Sequence, residues 1–184
     1  DYIAGLYYLD RNFDRKGVIN ALAIFPFAAH TNNRDFSEEA ESWAAFGQAT
    51  WNISDTVRVT GGIRYSDEQK DGSNDQLLTV IDSDESLQEA QPAIYDFVAG
   101  NFGTPDFSYD DSRSEDNWDP MFNVQWNFSD SGMVYTSWTK ASKGGGFNAN
   151  ENNGSLDNFS FDPEHAESYE LGAKMDFMDS RARL

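Results

Sequence analysis

The feature that most constrains the fold is a strict two-residue alternation between Asn117 and Phe128. Apolar side chains occupy the even positions, which are Trp118, Pro120, Phe122, Val124, Trp126 and Phe128. The odd positions are mainly polar. Period two gives a β-strand one apolar face and one polar face. Aromatic residues at both ends of the apolar face, with small or branched residues between them, are typical of a strand that crosses an outer membrane.

This strand ends in the tight turn Phe128 to Gly132, and its partner strand runs to about Ser142. Five further strands are predicted at residues 1–14, 42–52, 57–67, 167–178 and 181–184. In the run from Val57 to Asp67 the alternation is unbroken, with Val57, Val59, Gly61, Ile63 and Tyr65 on one face. The pattern therefore predicts an all-β, antiparallel fold.

The connections alternate between long and short. Tight turns are predicted at Ser54, Asp130 and Ser180, whereas the segments 15–41, 68–115 and 143–166 form long connections. Outer-membrane barrels have this asymmetry, because their periplasmic turns are short and their extracellular loops are long. Seven strands would leave two open edges, and unpaired backbone groups in hydrocarbon are costly. We therefore expect residues 1–184, which lack a signal peptide, to be a contiguous part of a larger transmembrane β-barrel.

The net charge of -19 is concentrated between Asp67 and Asp116, where fourteen acidic residues face only Lys70 and Arg113 as basic residues. Such a segment repels nucleic acid, so nucleic-acid binding is not expected. The capping-box spacing of residues 86–89 predicts one short helix inside it. The oxygen ligands of Asp71, Ser73 and Asp75, followed by Asp82 and Asp84, would suit calcium, and such a site is the alternative to a solvated extracellular face.

Catalysis is not expected. The chain has no cysteine, and its two histidines, His30 and His165, lie far apart in different connections. No nucleophile elbow, zinc-binding helix or phosphate-binding loop is present. We therefore expect neither an enzyme nor a metal centre, and no cofactor.

Three motifs carry a family resemblance. They are the S-K-G-G-G-F-N run at residues 142–148, the pair F-D-P-E at 161–164 with S-Y-E-L-G-A-K at 168–174, and the pair A-F-G-Q-A-T-W at 45–51 with T-G-G-I-R-Y at 60–65. Taken in their order along the chain, these motifs resemble the barrel of TonB-dependent outer-membrane receptors. The weaker G-L-Y-Y run at residues 5–8 is similar to the preceding strand of that family.

The resemblance implies a 22-stranded barrel with an N-terminal plug domain, of which residues 1–184 would supply about seven strands. It also implies a receptor in the bacterial outer membrane, in contact with lipid. Such receptors take up a scarce ligand, most often a ferric siderophore, otherwise haem, cobalamin or an oligosaccharide. Uptake would be driven by the TonB complex through the plug, which lies outside these residues. The alternatives are a soluble or surface all-β glycan-binding module or adhesin, and a passive porin.

The candidate ligand-binding residues come from the inward faces and the loops. They are Arg64, Tyr109, Lys140, Lys143, Gly145, Gly146, Phe147 and Asn148. Glycine allows close backbone approach, asparagine offers donors and acceptors, and loop aromatics can stack on a ligand. The alternatives are a turn-rich loop without ligand contact, and cations that pair with lumen carboxylates such as Glu170 and Asp176. The strand-end tryptophans are expected to be interface anchors.

Overall fold

The computed structural model describes residues 1–21, 29–177 and 182–183. Seven strands form one sheet in chain order, and two short strands form a separate ladder. The strands are β1 (Tyr2–Ala21), β2 (His30–Asn52), β3 (Val57–Val80), β4 (Phe107–Ser129), β5 (Gly132–Lys143), β6 (Gly146–Phe147), β7 (Ser160–Phe161), β8 (Glu164–Phe177) and β9 (Ala182–Arg183). The helices are α1 (Leu87–Ala90), α2 (Pro92–Phe102) and α3 (Leu156–Phe159).

Each pair of neighbouring strands in the large sheet is antiparallel. The described strands form an open meander, with β1 and β9 at its two edges. The prediction of an all-β antiparallel barrel segment is confirmed. None of the helices in the described ranges is long and apolar enough to span a membrane.

Two rows of aromatic side chains lie on one face of the sheet, which we call the outer face. The upper row, distant from the short turns, contains Tyr8, Trp43, Tyr65 and Trp118. Its ring centroids are 5.2 Å apart for Trp43 and Tyr65 and 4.7 Å apart for Tyr65 and Trp118. The lower row contains Trp51, Trp126 and Phe128. Trp43 and Trp51 are separated by roughly 27 Å of strand, which is comparable to the apolar band of an outer-membrane barrel.

The strands extend well beyond the upper row, and this corrects two predicted connections. The segments 15–41 and 68–115 were predicted as long loops, yet β1 continues to Ala21, β2 begins at His30, β3 continues to Val80 and β4 begins at Phe107. Outside the lipid a strand needs no apolar outer face, so polar residues can continue the backbone ladder. The alternation that marks a membrane strand ends where the lipid ends, but the hydrogen-bonded strand does not.

The short turns have the predicted chemistry. In the turn after β2, the Ser54 hydroxyl oxygen accepts the backbone N–H groups of Thr56 and Val57 at 3.3 and 3.0 Å. The predicted hairpin between β4 and β5 is present, with an irregularity in pairing between Asn127 and Ser129. The predicted turn at Asp179 and Ser180 lies outside the described residues.

The acidic segment contains two helices where one was predicted. Pro92 disfavours helical geometry in the preceding residue, and Gln91 has φ −141° and ψ 63° between α1 and α2. Ser86 precedes α1 but makes no side-chain capping bond. The helix α2 ends at Gly103, whose left-handed conformation suits glycine. Leu87 and Val98 of these helices pack on Leu78 of β3 in one of the two apolar clusters.

Candidate ligand-binding site

Strand alternation separates charge between the two faces of the sheet. The outer-face carboxylates of β1 to β4 are Asp10, Asp14, Asp35, Glu39, Glu41, Asp67, Asp71, Asp75, Asp110 and Asp116. The opposite face, which we call the inner face, holds the cations Arg11, Arg15, Arg34, Arg58, Arg64, Lys70 and Arg113. It also holds the carboxylates Glu38, Glu68, Asp111, Glu115 and Asp119. Lys16 is the only basic residue on the outer face of these four strands, so the negative charge is concentrated there.

The outer-face carboxylates include directly opposed pairs, and this sets a stability prediction. Asp67 lies opposite Asp116 across β3 and β4. Because like charges in this arrangement repel, Asp116→Asn is expected to stabilise the sheet by about 0.5 kcal/mol at low salt. The gain should disappear in about 1 M salt, where charges are screened within a few ångströms. Thermal unfolding at both salt concentrations measures it. Asp110→Asn is the matched control, since Asp110 lies opposite Ser73, and an equal gain there would contradict the repulsion account.

These outer-face residues do not form the calcium loop considered above. Asp71, Ser73 and Asp75 occupy every second position of β3. Their side chains therefore form a row along one face of the strand and do not converge on one point. Within residues 1–21, 29–177 and 182–183, no group of three or more histidine, cysteine or acidic residues is arranged to hold a metal ion.

The segment from Gly144 to Phe161, which we call the strap, folds over the inner face. Two ion pairs hold its start through the backbone of Gly145. The carbonyl oxygen of Gly145 accepts a bond from Lys70 Nζ at 2.7 Å, and Lys70 also pairs with Glu68 at 3.1 Å. The N–H of Gly145 donates to both Glu115 oxygens at 3.0 and 3.1 Å, and Glu115 pairs with Arg113 at 2.7 Å. The glycine is thus anchored by a cation on one side and a carboxylate on the other.

The anchor leaves no room for a side chain. A Cβ atom at Gly144 would collide with the carboxylate of Glu68, and one at Gly145 would collide with the carbonyl oxygen of Phe161. The glycine run was predicted as a place where a ligand could approach the backbone. That role stays a prediction, and in the structure Glu68, Arg113 and Phe161 lie against this backbone.

An aromatic cluster holds the remainder of the strap. Phe147 and Phe159 stack with ring centroids 5.0 Å apart, and both are buried against Phe36 of β2. Tyr109 packs on the cluster, 6.0 Å from the Phe159 ring. Phe147 and Tyr109, which were predicted to stack on a ligand, therefore both pack in this aromatic cluster of the protein itself.

Below the strap the inner face contains a groove of about 570 Å³. It is lined by Tyr7, Leu9, Ser42, Arg64, Ser66, Glu68, Asn117, Asp119, Ser142 and Gly144. The Arg64 guanidinium lies 5.6 Å from the centre of the Tyr7 ring, and Arg64 forms no ion pair within the described part of the chain. The Ser142 hydroxyl donates to Asp119 at 2.7 Å. A cation stacked on a phenol in an open groove can bind an anionic or aromatic ligand.

The other predicted residues lie around the strap. Lys140 lies opposite Glu167 in the pairing of β5 with β8 and does not line the groove. Lys143 pairs with Glu164 at 3.5 Å, and both side chains are exposed. Gly146 pairs with Phe161 in the β6–β7 ladder. Asn148 is bonded to the strap itself, through its N–H to Phe159 and its side-chain amide to Asn158. Of the predicted set, only Arg64 lines the groove.

The predicted alternative in which cations pair with lumen carboxylates takes a different form. Lys174 lies over the Tyr135 ring at 5.6 Å, and Tyr135 donates to Glu170. Arg58 donates to the side chain of Asn52. The important ion pairs instead involve Lys70 and Arg113, which in the sequence stood out only as the basic residues of the acidic segment. Their spacing of two residues from Glu68 and Glu115 could have indicated ion pairs on one strand face.

A partly buried carboxylate near the top of the wall gives a pH prediction. Burial raises the pKa of Asp106, and the bond that it accepts from the Leu78 N–H at 2.7 Å opposes this. When the pKa of a carboxyl group is higher in the folded than in the unfolded protein, the protonated group stabilises the fold. This stability is fully present below the pKa of the unfolded state and is lost as pH rises through the pKa of the folded state. Asp106→Asn keeps an acceptor oxygen and removes the charge. We expect the variant to have a higher free energy of unfolding than wild type at pH 7 and the same free energy of unfolding at pH 3.5, measured by denaturant titration. A difference of equal size at both pH values would contradict this.

The fold and this inner wall define a class of protein, the membrane β-barrels with a polar interior face. The chain belongs to the TonB-dependent receptor-like β-barrel family, whose family model matches residues 2–184. The crystal structure of the ferric yersiniabactin uptake receptor FyuA from Yersinia pestis is similar, with a TM-score of 0.69 and 17% sequence identity. The match covers 96% of this chain and 23% of that receptor, so the present chain spans about a quarter of its length. No curated protein sequence matches the chain at a significant level.

Proposed function

We propose that this chain forms part of the barrel wall of an outer-membrane receptor that takes up a scarce ligand in a TonB-dependent manner. The observation that carries the proposal is the groove under the strap, which places the guanidinium of Arg64, without an ion-pair partner in the described part of the chain, beside Tyr7 on the inner face. In a closed barrel this face would line the lumen. A plug domain, a TonB partner and the remaining strands would be supplied by other parts of the receptor.

The separation of charge supports an anionic ligand. An acidic rim alone would repel such a ligand, but the outer-face carboxylates point away from the lumen in this arrangement. The inner face of β1 to β4, with seven cations against five carboxylates, would remain to attract it. We therefore propose a ferric siderophore as the ligand, in line with the described activity of the structurally similar FyuA receptor.

The test is uptake by cells that express the full-length protein. Labelled ferric siderophores, haem, cobalamin and oligosaccharides are compared in strains with and without TonB. Uptake of one ferric siderophore that is lost without TonB is expected. Uptake that does not need TonB would contradict the proposal and favour a passive porin, and glycan binding without any uptake would favour an adhesin.

A further inference from the structure

A second polar site lies on the inner face above the groove, beneath the middle of the strap. Four side chains form it, Asn32 and Arg34 from β2 and Asn74 and Gln76 from β3, and we call it the amide patch. Its three amides are almost completely buried, with exposed fractions of 7%, 1% and 2% for Asn32, Asn74 and Gln76. Burial of three amides beside a guanidinium is costly unless each polar atom finds a partner.

The strap supplies some of those partners from its own backbone. Asn74 Nδ2 donates to the carbonyl oxygen of Glu151 at 3.2 Å. Gln76 Nε2 donates to the carbonyl oxygens of Asn152 at 3.3 Å and Pro105 at 2.7 Å. The amide donors of the patch therefore bind backbone carbonyl oxygens, two from the strap and one from Pro105 before β4. An oxygen-rich ligand could offer the same kind of acceptor.

The strap leaves the patch incompletely satisfied. Four buried side-chain polar atoms lack a hydrogen-bond partner among the described residues, and three belong to the patch, namely Asn32 Oδ1, Asn74 Oδ1 and Arg34 Nε. Leaving such an atom without a partner destabilises the arrangement in which the strap covers the patch. Burial lowers the pKa of Arg34, and the charge of nearby Arg15 lowers it further. The patch thus has unused acceptors and an undercompensated positive charge.

One buried carboxylate faces this charge. Glu151 is only 4% exposed, and its Oε1 accepts the N–H of Asn153 at 2.6 Å. Its charge acts on Arg34 in the direction that favours the guanidinium cation. Glu151 forms no ion pair within the described residues, so its attraction to Arg34 acts without direct contact.

We propose that the amide patch is a ligand subsite, and that Glu151 and Asn152 of the strap occupy it as an internal substitute. The ligand that fits it is anionic and rich in acceptor oxygens, and it also carries hydroxyl or amide donors for Asn32 and Asn74. Binding displaces the strap from the patch. This inference rests on the proposed function, because it assigns the uptake ligand a second contact above the groove.

A disulfide lock tests the displacement. A Cβ atom at Gly154 would lie 2.8 Å from Pro105 Cγ, so the two Cβ atoms are within about 4.3 Å, a separation that a disulfide spans. The chain has no other cysteine. The full-length protein with Pro105→Cys and Gly154→Cys is titrated with two anionic chelates, ferric citrate and the ferric tris-catecholate enterobactin. At least one probe is expected to bind the oxidised form at least tenfold more weakly than the reduced form.

A second variant tests the substitute itself. Glu151→Gln weakens the internal competitor. The variant is therefore expected to bind the same probe about threefold to tenfold more tightly than wild type does. Asp157→Asn, an exposed carboxylate of the same strap, is the matched control and should change nothing. Equal affinity of oxidised and reduced forms, or an unchanged or weaker affinity of Glu151→Gln, would overturn the inference while leaving uptake intact. Failure of every ferric chelate to bind wild type would instead overturn the proposed function, and this inference with it.

Discussion

Replacing Glu115 with leucine is expected to release the strap from the inner wall while leaving the large sheet folded. The Glu115 side chain is about one-tenth exposed, pairs with Arg113 and accepts the N–H of Gly145. Its loss leaves a largely buried guanidinium without its counter-charge and a buried backbone donor without an acceptor. Breaking such a pair costs about 3 kcal/mol, which raises the population of the open strap roughly a hundredfold.

Hydrogen exchange and limited proteolysis of residues 148–155 measure this opening. Glu164→Leu is the matched control, because Glu164 also forms an ion pair next to the strap, with Lys143, but both partners are more than 70% exposed. An exposed pair contributes between zero and about 1 kcal/mol, so the control should alter exchange by less than about fivefold. Equal protection of the strap in Glu115→Leu and wild type would show that the aromatic cluster alone holds it.

Replacing Arg64 with glutamine is expected to weaken binding of the proposed ferric ligand by tenfold to about a hundredfold. Hydrogen bonds to a charged group contribute about 1.5–3 kcal/mol, and Arg64 is the groove cation without an ion-pair partner among the described residues. The folded structure should tolerate the change, since the Arg64 side chain is exposed and its guanidinium lies over the Tyr7 ring.

Arg58→Gln is the matched control for Arg64. Arg58 lies on the same strand and the same face, six residues nearer the short turn and outside the groove. Equilibrium titration of the full-length protein with the ferric ligand identified by uptake compares the two variants. Comparable losses in both would mean that the ligand senses the general charge of the wall, and unchanged binding in Arg64→Gln would remove the groove from the site.

The sequence predicted the membrane part of the fold because lipid imposes a pattern on it. The alternation from Trp118 to Phe128 and the turn at Ser54 follow from one apolar face and one tight connection, and both were found. The extensions of β1 to β4 could not be predicted in this way. In water either face of a strand can be polar, so nothing in the local sequence distinguishes a paired extension from a loop.

The site was less predictable because its contacts join distant residues. The glycine run was recognisable, but its anchors, Lys70 and Glu115, lie in a segment that local sequence could not place on an inner wall. The amide patch is hidden for the same reason, since Asn32 and Gln76 meet only through the register of β2 and β3. Arg64 was found because alternation alone placed it inward. The ligand-contacting role of the eight predicted residues stays a prediction.

The anchoring of the strap also orders the events of folding. Lys70 contacts Gly145 across 75 residues of chain, and Arg113 contacts Phe161 across 48. Lys70 and Arg113 come to lie side by side only when β3 and β4 have paired in register. Contacts over such separations form late, because the intervening chain must first be ordered. The strap should therefore dock last, so a newly inserted wall would pass through a stage with its amide patch uncovered.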